Sequence, residues 1–203
     1  MKLSEIIICI TLLSMVSGCI SVGTPQRERR TTFVVECSRP PQMLPAANPQ
    51  QTVLRLRKFR AAEPYGSRRI YILNDKTGEL KSLTTATFAV TAATAATDIT
   101  RSWLSASGTF SDVFDQSVIP PGNTTTLDGW IDQACVINTD DHYHFSLKLT
   151  LWLTTPDDAQ TTPQQRFDYI ETYPLTKNEP AEIAAAFGET LKQALIKFEA
   201  TLQ

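Results

Sequence analysis

Residues 142–154, HYHFSLKLTLWLT, alternate without a break. On an extended chain Tyr143, Phe145, Leu147, Leu149, Leu151 and Leu153 fall on one side, and His142, His144, Ser146, Lys148, Thr150, Trp152 and Thr154 on the other. A helix would scatter these leucines around its circumference; a strand, whose side chains repeat every second residue, collects them on one face. The segment predicts a long strand with an apolar face and a polar one, hence a sheet that needs cover on a single side.

Two helical stretches are available as cover. Ile183, Phe187, Leu191, Ala194 or Leu195, Phe198 and Leu202 form one stripe, and Asn178 and Pro180 ahead of it are helix-start residues. Over 86–107, Phe88, Ala92, Ala95 or Ala96, Ile99 and Trp103 recur at three- and four-residue spacing, with Gly108 placed as a cap. The threonines in that stretch oppose a helix, because β-branched side chains lose freedom there. The remaining apolar runs predict strands at 31–37, at 52–60 (Leu54 and Leu56 against Arg55 and Arg57), and at 69–74 and 79–84 around an Asp75-Lys76-Thr77-Gly78 hairpin loop. Further strands are predicted at 110–114, 127–137 and 166–173, the last pairing with 142–154 across a loop at 156–164. The predicted fold class is α+β: a two-layer sandwich in which two main helices pack on one face of a mostly antiparallel sheet.

The N-terminus reads as an export signal. Lys2 precedes an apolar run from Ile6 to Val16, followed by the small residues Ser17 and Gly18. The run is too short to span a bilayer, which takes roughly 20 apolar residues. Val16-Ser17-Gly18-Cys19 resembles the lipobox of bacterial lipoproteins, in which the cysteine is acylated and the leader is cut before it. That resemblance implies a signal peptide over 1–18, lipid attachment at Cys19 and a membrane held through this lipid, since two or more acyl chains anchor stably. Ile20, rather than Asp, implies sorting to the outer membrane with the domain facing the periplasm. Residues 20–30, ISVGTPQRERR, have the composition of a solvated tether, so the lipidated N-terminus and tether cover 19–30 and a single domain covers 31–203. No later stretch is apolar enough to cross a bilayer.

The formal charge is −2, and losing Lys2 together with Glu5 leaves it unchanged. That near-balance predicts no nucleic-acid partner. Cys9 leaves with the leader and Cys19 takes the lipid, which leaves Cys37 and Cys135 in an oxidising compartment. One disulfide between them is the expectation, with roughly 4–5 kcal/mol of stabilisation on the chain-entropy model. Two buried thiols that never meet are the alternative.

Few residues invite chemistry. The phosphate loop of an ATPase, the Gly-x-Ser-x-Gly elbow, the His-Glu-x-x-His helix and paired Cys-x-x-Cys motifs are all absent from the sequence. Asp140-Asp141-His142-Tyr143-His144 places two histidines on one strand face. With no third ligand to name, the cluster reads as a polar turn entering a solvated face, and no metal or cofactor is expected. Arg55, Arg57, Lys58, Arg60, Arg68 and Arg69 form a basic cluster. In an exported protein it can meet lipid headgroups, an acidic partner face or water alone, and Arg55, Arg57, Arg68 and Arg69 are the candidate contacts. Asn123-Thr124-Thr125 is a sequon that reads as a polar loop.

Residues 52–71 (TVLRLRKFRAAEPYGSRRIY) and 104–114 (LSASGTFSDVF) resemble the ABC-type transport auxiliary lipoproteins, the PqiC-like group. The shared pattern is an extended strand, a Pro-containing segment, an Arg-Arg strand ending in Tyr71, and a helix closing on Ser107-Gly108-Thr109-Phe110 with Val113. The aromatic and Pro-Pro run those proteins carry before the helix is replaced here by Leu83-Thr84-Thr85-Ala86-Thr87-Phe88-Ala89. The resemblance implies a non-enzymatic accessory that docks an MCE-domain periplasmic protein, with its permease and ATPase, at the outer membrane. Other readings are an assembly or pilot lipoprotein of a secretion or surface-polymer export machine, and an envelope hydrolase built on Asp140, Asp141, His142 and His144. Which lipid moves, and whether the domain forms a homo-oligomer, stay open.

Overall fold

In a computed structural model the fold is described for residues 30–45, 50–118, 124–139, 142–155 and 164–202. The elements run β1 (Thr31–Phe33), β2 (Gln50–Leu56), β3 (Arg60–Ala61), β4 (Arg69–Asn74), β5 (Leu80–Phe88) and α1 (Ala92–Ser107). They continue with β6 (Phe110–Asp115), β7 (Thr124–Thr139), β8 (His142–Thr154), β9 (Gln164–Leu175) and α2 (Pro180–Thr201). The alternating segment is β8, with the bounds its pattern predicts.

β7, β8 and β9 form a long antiparallel meander that starts at Thr139↔His142 and Tyr143↔Leu175. The other edge of β7 is shared by three short strands that follow one another along it in parallel, with Leu56↔Leu127, Arg60↔Trp130 and Ile72↔Val136. Beyond β2 lies β6, beyond β4 lies β5, and β1 pairs parallel with β5. The sheet is open and mostly antiparallel. Both helices pack on its apolar face, which bears out the predicted α+β sandwich. The parallel pairings along β7 are not visible in the alternation.

On that face Phe145 stacks on Phe187 at 5.3 Å, Phe88 meets Phe187 at 5.7 Å, and Phe167 meets Phe198 edge-on at 5.3 Å. Phe59, Trp103, Leu127, Ile131, Leu147 and Leu191 are buried around them. Each such side chain contributes roughly 1.5–3 kcal/mol on burial, so the layer contact dominates the stability.

Four local readings change. The strand predicted over 52–60 breaks at Arg57–Phe59, where the Phe59 N–H donates to Thr97 Oγ1 at 2.9 Å instead of to a ladder. The break lets the Phe59 ring lie over Gly129, so close that a Cβ there would come within 2.5 Å of it. The strand predicted over 31–37 stops at Phe33, because residues 34–39 leave the sheet to run along α2. Glu36 crosses that helix where Gly188 offers no side chain: a Cβ would meet Glu36 O at 2.0 Å. The helix predicted from 86 begins at Ala92, capped by Thr91, whose Oγ1 accepts from Thr94 N at 3.2 Å; it ends at Gly108, φ 66°. Phe88 satisfies both periodicities and is buried from the strand. α2 begins at Pro180, as its start signal predicts, but its N-cap is Glu179 rather than Asn178, and Glu182 accepts from the N–H groups of Thr176 and Lys177 just ahead of it, both at 2.7 Å.

A bulge between Ile131 and Gln133 switches the parity of β7. Ile131 and Ala134 both face the helices, opposite Leu149 and Leu147, while Gln133 and Cys135 face the reverse side. Ser146 and Thr150 are buried on that reverse side, which the alternation assigned to water. Tyr65 folds over part of it: its hydroxyl is 3.9 Å from Cys135 Sγ, and its ring meets Tyr71 edge-on at 5.8 Å.

The bulge also decides the cysteines. Cys37 lies on the helix side, close to Gly188, whereas Cys135 points to the other face of the sheet. Both are free thiols, so the expected Cys37–Cys135 disulfide does not form. Bridging needs the two Cα atoms within about 7 Å and their Cβ vectors converging, and a β-sheet stands between them.

Candidate functional site

The basic cluster does not form one patch. Arg57 N donates to Leu127 O, which puts Arg57 beside the start of β7. Arg69 lies three residues before the Ile72↔Val136 pair, so Arg57 and Arg69 are separated by roughly 20 Å at the strand rise of ~3.3 Å per residue, with Arg60, opposite Trp130, between them. Arg55 Nη2 donates to Gln116 O at 2.9 Å while its Nε is buried without a partner. Arg57 faces Asp128 at 3.3 Å, and Arg60 lies over the Trp130 ring at 5.5 Å. Arg68 Nη1 reaches Ala89 O at 3.4 Å, and Arg69 is exposed beside it.

Lys58 lines, and Arg55 borders through Gln116, a cleft of about 270 Å³ between α1 and the ends of β2 and β6. Leu56, Lys58, Thr97, Asp98, Arg101 and Asp115 are among the residues that line it. Arg101 reaches Asp98 at 3.1 Å and Asp115 at 3.8 Å. Asp115 accepts from both the hydroxyl and the N–H of Ser117, and these bonds, helped by Arg101, hold its carboxyl below the usual carboxylate range. Its charges are internally balanced, Lys58 and Arg101 against Asp98 and Asp115.

His142 is exposed and His144 half-buried, both on the polar face of β8 as the alternation requires. Asp140 and Asp141 lie outside the described residues, as do Cys19, residues 1–18 where a leader is expected, and Asn123. Among the described residues no group of three or more His, Cys, Asp or Glu is placed to hold a metal ion. No helix among them is long and apolar enough to cross a membrane.

A buried network went unread in the sequence. Glu199, fully buried on α2, accepts from Trp103 Nε1 at 2.8 Å and from Arg39 Nη2 and Nε at 2.6 and 3.1 Å. Arg39 also donates to the carbonyls of Met43 and Leu44. The signal was present: Glu199 follows Phe198 and sits four residues after Leu195, a carboxylate among buried positions that demands a buried partner. Cys37 lies under the same strap, beside Glu189 and Lys192 in a hollow of about 230 Å³. Burial, with a smaller push from Glu189 against the pull of Lys192, takes its thiol up to about 11.

The sequence matches no family model and no curated protein. Solved structures share the fold. Protein XCC0632 from Xanthomonas campestris, of the DUF330 family, superposes with a TM-score of 0.67 at 20% identity, covering 85% of this chain and 95% of that one. An uncharacterised protein superposes with a TM-score of 0.58 at 9% identity, covering 87% and 100%. At these identities the likeness establishes the architecture, two helices against an open, mostly antiparallel sheet, and extends to nearly the whole of each relative. The expected ABC-transport, MCE and lipid-trafficking partners draw nothing from these comparisons.

Proposed function

We propose that the chain is a lipid-anchored, periplasm-facing docking domain at the outer membrane, without catalysis of its own. Its partner in this reading is an MCE-domain protein belonging to a lipid-trafficking complex with a permease and an ATPase. The observation that carries the reading is Val16-Ser17-Gly18-Cys19 followed by a short basic tether leading into a folded domain. The resemblance of 52–71 and 104–114 to the auxiliary lipoproteins supplies the partner. The segment that follows the tether is fastened along α2 at Gly188 and Glu199, an arrangement suited to passing load from an anchor into the core.

Two measurements in cells test it. Radiolabelled palmitate should enter the wild-type chain and not a Cys19→Ala variant; an unlabelled wild type removes the anchor. Photo-crosslinkers placed around the α1–β6 cleft should capture an MCE-domain protein. Repeated capture of secretin or polymer-export subunits, and never an MCE protein, would replace this partner with the assembly-lipoprotein one.

A further inference from the structure

Three segments converge where β1 and β5 end. Ala89 N donates to Phe33 O at 2.7 Å, Phe88 N to Arg68 O at 2.8 Å, and Arg68 Nη1 to Ala89 O at 3.4 Å. The register places Thr32 and Arg69 on either side of Thr87, so β1, β5 and β4 lie next to one another at spacings of about 4.8 Å. Val34 and Val90 step out from this corner, 65% and 41% exposed. Arg68 and Arg69 are exposed beside them, and Arg30, also exposed, leads into β1.

A single exposed valine carries no information. The pairing of the neighbouring arginines does. Arg39, Arg57, Arg101 and Arg166 each face a carboxylate, and Arg60 lies over Trp130. Among the described residues, no carboxylate pairs with Arg30, Arg68 or Arg69. Uncompensated Arg68 and Arg69 therefore sit where two apolar side chains are exposed, and Arg30 marks the chain's arrival from Cys19 at the other end of β1, four residues or roughly 13 Å from Val34. At ~3.3–3.6 Å per residue the eleven steps from Cys19 to Arg30 keep that entry point within roughly 40 Å of the acyl chains. The same short segment adds Arg27 and Arg29 against Glu28.

We propose that this corner lies against the bilayer, with Val34 and Val90 entering the headgroup layer of an anionic membrane and Arg30, Arg68 and Arg69 holding lipid phosphates. Cations on such a surface are drawn to anionic lipid within a Debye length, and apolar side chains between them gain burial at the interface. The lipid then retains the domain at the membrane while the corner sets its orientation. This rests on the anchoring of Cys19 proposed above.

The test uses the mature lipidated protein reconstituted in phosphatidylethanolamine–phosphatidylglycerol vesicles, with a nitroxide at Val34→Cys or Val90→Cys. The background is Cys37→Ala with Cys135→Ser, its fold checked by circular dichroism. Ile170→Cys, on the distant edge strand β9 and 68% exposed, is the control. The labels at 34 and 90 are expected to relax with lipid-soluble oxygen and to be shielded from an aqueous nickel complex, and the label at 170 to show the reverse. Arg68→Gln with Arg69→Gln, or phosphatidylcholine vesicles at high salt, should return 34 and 90 to the water-like signal. Labels at 34 and 90 as open to nickel as at 170, on protein that still floats with the vesicles, overturn the corner and leave the anchor standing. Protein that fails to float overturns both.

Discussion

Arg39 and Glu199, 160 residues apart in sequence, form a forked ion pair at 2.6 and 3.1 Å, with the carboxylate fully buried beneath the segment that leads in from the N-terminus. Removing one partner of such a pair strands a charge in low dielectric, which costs more than the pair contributes. Arg39→Met should lower the stability by about 3–5 kcal/mol, read by urea denaturation. Arg39→Met with Glu199→Gln should lose less than the sum of the single changes, because the stranded charge is gone.

Gly188→Ala separates helix propensity from packing. On an open helix face the change would stabilise by about 1 kcal/mol. Here the new Cβ would meet Glu36 O at 2.0 Å, and a backbone carbonyl cannot turn aside as a long side chain can. The strap must lift, so the expected outcome is a net loss of roughly 1–3 kcal/mol and faster alkylation of Cys37. A rise in Tm would refute the close crossing.

Gly129 poses the same question inside the sheet. A Cβ there would come 2.5 Å from the Phe59 ring, so Gly129→Ala should destabilise by about 1–3 kcal/mol. Phe59→Leu alone should also destabilise, by removing buried ring surface. Thermal melts should find the double variant more stable than the two single losses predict, since the smaller side chain makes room.

Three carboxyls bind their protons less readily in the folded protein. Asp115 is held down first by the Ser117 hydroxyl, Asp168 by the Thr150 hydroxyl, and Glu182 by the Thr176 hydroxyl. The unfolded state therefore binds more protons than the folded one in the acid range, and stability rises with pH there. For Glu182 the contribution is complete above its ordinary value of 4.5 and is lost as the pH falls through the lowered folded value. Denaturation midpoints measured down that limb should fall less steeply in Glu182→Gln than in the wild type.

Both thiols should be chemically quiet. Burial is the main cause raising each, Cys37 to about 11, so little thiolate exists near neutrality. Iodoacetamide should modify them slowly in the native protein and fully after unfolding without reductant, by intact mass. Protection that persists after unfolding until reductant is added would restore the disulfide.

What was legible followed from periodicity. β8, the β8–β9 pairing, the 69–84 hairpin and the stripe of α2 each repeat a local geometry many times, so the pattern survives whatever surrounds it. Where a residue serves two patterns the reading slipped. Phe88 fits the helical spacing of 86–107 and the strand it belongs to, and Phe59 sits at the strand parity of 52–60 although its N–H bonds to a helix. The candidate contacts fared similarly: six basic residues close in sequence are spread over roughly 20 Å, because β2, β3 and β4 are strung along one edge of β7. The Arg39–Glu199–Trp103 network could be suspected from a buried-stripe carboxylate, but its partners come from two other elements.

By itself the sequence determined the elements, the two-layer class and the apolar faces, since these depend on which residues sit two, three or four apart. Only the tertiary structure decided that Cys37 and Cys135 face opposite sides of the sheet, that Gly188 and Glu199 receive the N-terminal segment, and that Val34, Val90, Arg68 and Arg69 share a corner. The first two of those outcomes hang on a one-residue bulge in β7 and on a close backbone crossing at Gly188. A parity change or a missing side chain at one position leaves almost no mark on hydropathy, yet it decides which distant residues can meet.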